Sequence, residues 1–232
     1  MKSEIGHIYL SWRKGQGQRR HIVGVIKKSA TKGVTFAYDQ KAVEKAKEEG
    51  FSPYVEFSDI TKTYTDNVLE LFAQRLTKSE RPDIKDFYTF WEIKSSSKDD
   101  KYHILAHTMG LAPTDNFEFL AAYHPTKGMS FITDLAALSE KKLSPDSLKI
   151  GDVLRIEKEP QNKFDQYAVK VFKDDLDVGY IKKIHNKVFY KQSKFPIKLT
   201  VKAIDKNGAV KRVFVKVSFW WYKIAYSKTE SK

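Results

Sequence analysis

A short polar turn holds the residues of this chain that are best suited to chemistry. Asn162, Phe164 and Asp165 follow Pro160, which lacks an amide N–H and ends a strand. Short side chains such as those of Asn162 and Asp165 hydrogen-bond nearby backbone and stabilise turns. At the mouth of a barrel, the same turn would present Phe164 as a stacking surface for a base and Asp165 as an acceptor for a sugar hydroxyl. From the residues alone, both the structural and the functional interpretation stay open.

Two histidines and three aspartates are further candidates for chemistry. His103 and His107 are four residues apart and would share one face of a helix, which suits a metal pair, but no third ligand is evident. Asp174, Asp175 and Asp177 cluster in a tight turn, where acids usually face solvent, although paired carboxylates could also serve a nuclease. The sequence therefore predicts no metal site and no catalytic centre, with a cryptic nuclease as an alternative.

The motifs on which many enzymes and cofactor sites depend are absent from the sequence. It contains no cysteine, phosphate-binding loop, dinucleotide-binding fingerprint, nucleophile elbow or zinc-protease motif. No apolar run approaches the roughly 18 residues that span a bilayer, and the first residues do not resemble a signal peptide. These features predict a non-enzymatic cytoplasmic protein without a cofactor.

The positive charge of the chain is concentrated in its second half. Residues 1–125 carry 19 Lys and Arg against 17 Asp and Glu, whereas residues 126–232 carry 23 against 12. This asymmetry indicates that the second half faces a polyanion, although solubilising surface charge would give the same balance. After Tyr180, which we include in the binding site, lysines that could contact phosphate alternate with aromatic residues that could stack on bases. The basic residues are Lys182, Lys183, Lys187, Lys191, Lys194, Lys198, Lys202, Lys206, Lys211 and Arg212, the aromatic residues are Phe189, Tyr190 and Phe195, and His185 is a further candidate.

Turn signals divide the first half into short strands and helices. The predicted strands are Ile5–Leu10, Ile22–Ile26 and Val34–Tyr38. Asp39 can cap a helix from about Gln40 to Glu49 that stops at Gly50, and Thr65 or Asp66 can cap a second helix that reaches Leu76. Pro82 fits the first turn of a third helix, which would bury Ile84, Phe87, Phe90 and Trp91. The polar residues 94–101, with three consecutive serines, predict a linker.

Beyond this linker the pattern becomes mostly β. Strands are predicted at Asp152–Glu157, Ala168–Phe172, Val178–Ile181, Ile197–Ile204 and Val210–Phe219. Their spacing indicates a small barrel or sandwich. We therefore expect an α+β protein with four parts: a small sheet with helices (1–93), the linker (94–101), a barrel domain with a short N-terminal extension (102–226), and a tail (227–232).

The stretch from Gly151 to Ile181 resembles the signature of the HIRAN domain. Gly151-Asp152 enters a strand, Glu159-Pro160-Gln161-Asn162-Lys163-Phe164-Asp165-Gln166-Tyr167-Ala168-Val169 follows, and Gly179-Tyr180-Ile181 completes the pattern. The resemblance covers about 123–226 and implies an OB-like barrel that recognises single-stranded DNA or a 3′ DNA end. HIRAN domains that bind DNA ends carry an Arg and paired Tyr residues on an early strand, where this chain has Ala136-Ala137-Leu138. This departure concerns 3′-end capture more than nucleic-acid binding in general.

Residues 5–92 resemble the N-terminal subdomain of HipA-type kinase toxins. The matching stretches are Ile8–Leu10, Val23–Ile26, Gly33–Asp39, Phe51–Pro53 and Thr65–Leu76. The kinase core of that family has no counterpart after residue 92. The resemblance implies an interaction or regulatory module that meets a protein partner. Together with the barrel, it would recruit or position another molecule, for example in DNA repair, phage defence or a toxin–antitoxin setting.

Two principal hypotheses follow for the function of the chain. In the first, a barrel that grips single-stranded DNA or a 3′ DNA end is joined to an N-terminal protein-interaction module. In the second, the protein is an interaction or antitoxin-like regulator whose barrel keeps the fold without binding DNA. The presence or absence of oligonucleotide binding separates them.

Overall fold

The first of two sheets contains five antiparallel strands in the order β4-β3-β2-β1-β5. A computed structural model describes residues 3–15, 17–76, 82–112, 115–192 and 195–220. The strands of this sheet are β1 (Ile5–Trp12), β2 (His21–Ser29), β3 (Gly33–Tyr38), β4 (Thr63–Tyr64) and β5 (Phe117–Tyr123). The three strands predicted near the N-terminus are therefore confirmed.

Local capping chemistry places the first helix where the sequence predicts it. Helix α1 (Gln40–Lys47) begins after Asp39, whose carboxylate accepts a hydrogen bond from Ala42 N at 3.1 Å. Gly50 follows with φ of +99°, a conformation that glycine adopts without strain. The predicted cap and stop are both confirmed.

The next two helices differ from their predictions at the ends. Helix α2 (Val68–Ala73) begins after Asn67, which has φ of +53° and makes no capping hydrogen bond, so the predicted caps Thr65 and Asp66 are wrong. Helix α3 (Ile84–Phe90) follows Asp83, and Pro82 lies in the preceding turn. Of its predicted core residues only Trp91 is buried, and the others are half-buried, because α3 lies over the outside of the molecule.

The serine-rich stretch is ordered. Ser95–Ser97 form one 3-10 turn, and Asp100 caps helix α4 (Lys101–Thr108) by accepting a hydrogen bond from His103 N at 3.1 Å. After α4, strand β5 pairs with β1 and not with a barrel strand, as the Tyr9–Leu120 register shows. This part of the segment that we grouped with the barrel therefore lies in the first sheet. The domain boundaries remain a prediction, and the tail falls outside the described residues.

Six antiparallel strands close into a barrel in the order β10-β11-β6-β9-β8-β7. The strands are β6 (Ser130–Ala136), β7 (Val153–Glu159), β8 (Ala168–Lys173), β9 (Leu176–Ile181), β10 (Ile197–Lys206) and β11 (Val210–Phe219), and helix α5 (Leu138–Lys141) follows β6. The predicted α+β class with a C-terminal barrel is confirmed.

Closure of the barrel depends on a glycine at the junction of β6 and β9. Ala136 pairs with Tyr180 there, and a Cβ on Gly179 would lie 2.5 Å from Ala136 O. Gly179 also has φ of +114°. A side chain at this position would push the two strands apart.

A buried interface joins the first sheet to the outside of the barrel. Along β6, Phe131 and Leu135 belong to the main hydrophobic core, in which the Phe131 ring stacks on Tyr123 of β5 at 4.0 Å, whereas Ile132 belongs to a second apolar cluster. The apolar residues that meet in this interface are Trp91, Ile93, Ile104, Met109, Leu120, Ile132 and Ile184. None of the described helices is long and apolar enough to span a membrane.

Candidate nucleic-acid interface

The turn between β7 and β8 holds an aromatic ring in solvent. Phe164 is 86% exposed. Asn162 Oδ1 accepts hydrogen bonds from Phe164 N at 3.0 Å and from Asp165 N at 3.3 Å, and Asn162 Nδ2 donates to Glu159 Oε2 at 3.0 Å. The turn-stabilising role of Asn162 is thus confirmed, and its contacts fix the backbone that displays the ring.

Asp165 ties this turn to the segment that follows β9. Its Oδ1 accepts a hydrogen bond from Tyr167 N at 2.9 Å, and its Oδ2 accepts one from the buried Asn186 Nδ2 at 2.7 Å. Each carboxylate oxygen has two lone pairs, so the half-buried Asp165 keeps capacity for a further donor. Asn186 was not among the predicted site residues, because its role depends on a contact across 21 positions of sequence.

Tyr180 shares a carboxylate with the turn. The Tyr180 hydroxyl donates to Glu159 Oε2 at 3.1 Å, the oxygen that also accepts from Asn162. Desolvation, and then the hydrogen bond to Glu159, raise the pKa of Tyr180. Lys141 Nζ lies 5.7 Å from the centre of the Tyr180 ring. Glu159 therefore links the predicted residues Asn162 and Tyr180 into one network.

Two further tyrosines extend the aromatic surface and carry lysines. Tyr167 and Tyr190 meet edge to face at 5.4 Å. Lys158 Nζ lies 5.2 Å from the Tyr190 ring centre, and Lys187 Nζ lies 5.6 Å from the ring centres of both Tyr167 and Tyr9. Because Tyr9 is on β1, the first sheet reaches this surface. We call Phe164, Tyr167, Tyr180 and Tyr190 the aromatic face.

The structure overturns the prediction that Lys182 contacts nucleic acid. Lys182 is fully buried and forms ion pairs with Glu118, at 2.9 Å, and with Asp134. Lys182 directly follows β9, and its side chain lies in the interface with the first sheet, where it contacts Glu118 of β5. The next residue, Lys183, is exposed and has no hydrogen bond or ion pair within the described part of the chain.

Three other predicted contacts are engaged inside the protein. His185 is fully buried, its Nδ1 lies 2.8 Å from Thr133 Oγ1, and burial lowers its pKa to about 3, so it cannot meet phosphate as a cation. Phe189 is 2% exposed and packs in the core rather than against a base. Lys191 Nζ donates to Tyr123 O, on β5. Phosphate or base contact by His185 and Phe189 is therefore wrong.

The remaining predicted lysines do not form one surface. Lys187 directly follows Asn186, which bonds to the turn, and Lys183 is exposed three residues before Asn186. Lys198 and Lys206 are exposed on β10, and Lys202 pairs with Glu92 at 3.6 Å. Lys194 lies outside the described residues.

The histidine pair makes no metal site in the described ranges. His103 and His107 stack on α4 with ring centres 4.2 Å apart, and His107 Nδ1 lies 3.1 Å from Trp91 O. Burial, and then the neighbouring His103, lower the pKa of His107 to about 4. No group of three or more potential ligands occurs among the residues that the structure describes.

The aspartates predicted at the hairpin separate from one another. Asp174 and Asp175 are exposed, whereas Asp177 pairs with Lys141 at 2.7 Å and with Lys170 at 3.3 Å. Asp177 is therefore neutralised by cations rather than poised beside a second carboxylate, and this arrangement does not favour the nuclease hypothesis.

A second set of charges lies between the first sheet and the barrel. Glu118 on β5 accepts hydrogen bonds from Arg13 at 3.3 Å, Arg20 at 3.0 Å and Lys182 at 2.9 Å. Asp134 on β6 pairs with Lys182 and accepts from Arg212 Nε at 3.0 Å. The interface charge cluster, as we call it, comprises Arg13, Arg20, Glu118, Asp134, Lys182 and Arg212. An acid within each of two apolar strands, Phe117–Tyr123 and Ser130–Ala136, is the sequence signal that could have revealed it.

Comparison with known proteins identifies part of the chain. The family model of the HIRAN domain matches residues 125–218. A solved structure, the crystal structure of the HIRAN domain of human HLTF, is 18% identical, covers 39% of this chain and 74% of that one, and has a TM-score of 0.32. No curated protein matches the sequence.

The family match begins after β5 and leaves residues 5–92 outside it. The resemblance of that region to HipA-type toxins therefore receives no support. The matched residues include the turn that displays Phe164 and the barrel strands on either side of it. They also include Asn186, which donates a hydrogen bond to Asp165 of that turn. Residues 125–218 of this protein therefore match the family model of the HIRAN domain.

Proposed function

We propose that this protein binds single-stranded DNA, including a 3′ DNA end, without catalysing a reaction. The observation that carries the proposal is the exposed ring of Phe164 on a turn held by hydrogen bonds to Asn162 and Asp165. A large apolar ring in water gains free energy when a base covers it, and such stacking contributes roughly 1–3 kcal/mol per base. The fixed turn keeps the cost of ordering low.

The charges beside Phe164 suit a sugar-phosphate strand. Lys163 and Lys183 are exposed, and Lys187 lies against Tyr167, so cations border the aromatic face. Contacts between such cations and phosphates release counterions from the nucleic acid. The mixture of stacking surface and cations supports a nucleic-acid ligand over a purely apolar one.

The two carboxylates at this turn favour a 3′ hydroxyl over a 3′ phosphate. Glu159 and Asp165 are half-buried beside Phe164, and both accept hydrogen bonds. A sugar hydroxyl could donate to either group, whereas a terminal phosphate would place two negative groups together. End recognition here would thus rest on acceptors of the turn, since Ala136 and Ala137 offer no side-chain donor.

Fluorescence anisotropy tests the proposal with matched oligonucleotides. We expect a single strand with a 3′ hydroxyl to bind more tightly than the same strand with a 3′ phosphate, and binding to weaken linearly on a logarithmic salt scale. Equal binding of the two oligonucleotides would support a protein that binds single strands and would contradict recognition of the 3′ end. The absence of binding to any oligonucleotide would instead support the interaction or antitoxin-like regulator.

The role of residues 1–93 as a protein-interaction module belongs to the same proposal. Its support is an exposed apolar side chain in this region, that of Val55, which is 87% exposed. A cytoplasmic location likewise remains a proposal from composition.

A further inference from the structure

A large cleft between the first sheet and the barrel carries an excess of partly buried positive charge. The cleft has a volume of about 1010 Å³, and Arg13, Arg20, Asp134 and Arg212 line it. We propose that this cleft is a second nucleic-acid subsite, in which Arg13 and Arg212 bind a backbone phosphate of the strand that the aromatic face engages. This inference rests on the proposed function and adds to it a site that includes the first sheet.

The charges of the interface charge cluster do not cancel. Four cations, those of Arg13, Arg20, Lys182 and Arg212, surround only two carboxylates, those of Glu118 and Asp134. The side chains of Arg13 and Arg212 are only 20% and 26% exposed. Charges withdrawn from water are stabilised by partners of opposite sign, so this cluster is suited to one more anion.

The other acids of the cleft do not supply that anion. Asp115 is paired with Arg75, whose Nη2 donates to Asp115 Oδ1 at 2.8 Å. Glu140 and Asp205 line the cleft as solvent-exposed residues, so water rather than a buried cation surrounds their carboxylates. Lys142, also exposed, adds a further cation to the lining.

Both proposed arginines have donor capacity to spare. Arg13 contacts Glu118 through one nitrogen at 3.3 Å, whereas Arg20 uses two nitrogens, each at 3.0 Å. Arg212 donates through Nε to Asp134, and its buried Nη2 has no partner among the described residues. A guanidinium carries five N–H donors in a planar fork that matches phosphate geometry. Burial, and then the charge of Arg20, lower the pKa of Arg13, and a nearby anion would reverse that effect.

The position of the cleft links it to the aromatic face. Ala136 of β6 lines the cleft and pairs with Tyr180 of β9. Along its other edge, β6 pairs with β11, where Asp134 lies opposite Phe214, two residues beyond Arg212. Because β9, β6 and β11 are neighbours, the backbones of β9 and β11 are separated by two strand spacings, about 10 Å. A strand with one base on the aromatic face could therefore place a phosphate in the cleft.

Substitution of Arg13, with its neighbour in the same loop as control, tests the subsite. We expect Arg13→Gln to weaken binding of a single-stranded oligonucleotide about tenfold and to lower the salt slope by about one ion. Arg19→Gln removes the same charge from an exposed residue of that loop and should leave affinity within about twofold. Equal affinities for both variants and the unmodified protein, with Phe164→Ala still impaired, would overturn the subsite and leave the proposed function intact.

A measurement on the unmodified protein does not depend on folding of the variants. In ¹⁵N–¹H spectra of arginine side chains, oligonucleotide should shift the Nε resonances of Arg13 and Arg212 and leave that of Arg19 in place. Unchanged Arg13 and Arg212 resonances at saturating oligonucleotide would contradict the subsite. Shifts with inorganic phosphate or a mononucleotide, but none with oligonucleotide, would assign the cleft to a small phosphate ligand and overturn our proposal.

Discussion

Lys182 Nζ lies 2.9 Å from Glu118 Oε2, and this buried ion pair joins the residue that follows β9 of the barrel to β5 of the first sheet. The same ammonium group pairs with Asp134 of β6. The desolvation of Lys182 lowers its pKa, whereas the surrounding cations hold the pKa of Glu118 well below its ordinary value. One ammonium group thus bridges carboxylates on β5 and β6, which belong to different sheets.

Loss of this cation should destabilise the fold. We expect Lys182→Met to lower the free energy of unfolding by about 3 kcal/mol, because Glu118 and Asp134 each lose a buried ion-pair partner. Lys183→Met changes the adjacent exposed residue and should shift stability by less than about 0.5 kcal/mol. Urea unfolding of both variants measures the difference, and equal stabilities would show that the arginines alone balance Glu118 and Asp134.

In DNA binding, the exposed Lys183 should contribute, unlike the buried Lys182. Lys183→Gln removes an exposed cation three residues before Asn186 and should weaken binding to all single strands alike, with a salt slope lower by about one. Anisotropy at several salt concentrations measures both quantities. A Lys183→Gln protein with an unchanged slope would place the strand away from this end of β9.

Removal of the exposed ring should impair binding without affecting the fold. We expect Phe164→Ala to cost roughly 1–3 kcal/mol of binding free energy, or about 5- to 150-fold in affinity. Trp220→Ala is the control, because Trp220 is 57% exposed at the end of β11, where β11 meets the start of β6. If both variants bind as the unmodified protein does, bases do not stack on Phe164.

Acidification should destabilise the protein before its carboxylates titrate. His185 and His107 have pKa values of about 3 and about 4 in the folded protein, below the ordinary value of 6.5. Below about pH 6.5 the unfolded chain therefore binds protons that the folded chain does not, so stability falls as pH decreases. Each histidine should cost about 2 kcal/mol between about pH 6.5 and about pH 5.

Urea unfolding at the two pH values measures this loss. The variant His185→Gln should show a smaller change between them than the unmodified protein, since Gln does not titrate. An unchanged pH dependence in that variant would mean that His185 binds its proton equally well in the folded state.

Barrel closure should be sensitive to Gly179. The variant Gly179→Ala combines a left-handed conformation with a Cβ 2.5 Å from Ala136 O, and we expect a loss of about 3 kcal/mol or more. Gly151→Ala is the matched control: its φ is +93°, but no atom lies within 4 Å of the added Cβ, so about 1 kcal/mol is expected. Similar losses would show that β6 moves to accommodate the methyl group.

Local chemistry explains why much of the fold could be predicted from sequence. Strands β1 to β3 are short apolar segments separated by turn-prone residues, and Asp39 and Gly50 mark the ends of α1. The turn at Asn162 was predictable for the same reason, since its hydrogen bonds run to residues two and three positions away. Each of these features is encoded within a few residues.

Long-range pairing explains what could not be predicted. The register of β5 with β1 joins residues more than 100 positions apart, and no local pattern selects that partner. Lys182 and Lys183 are the same residue type, and only the cover that the first sheet gives to one face of the barrel buries the former. The number of lysines therefore predicted the net charge of this half of the chain, but it did not predict which lysines are exposed to solvent.

The position of β5 in the first sheet has a consequence for any attempt to excise the region that matches the HIRAN model. A fragment of residues 125–218 would lose Glu118, Leu120 and Met109, and so would expose Ile132, Ile184 and the ammonium of Lys182. Such a bare apolar strip favours self-association. The barrel and the first sheet should accordingly be produced, crystallised and assayed as one piece.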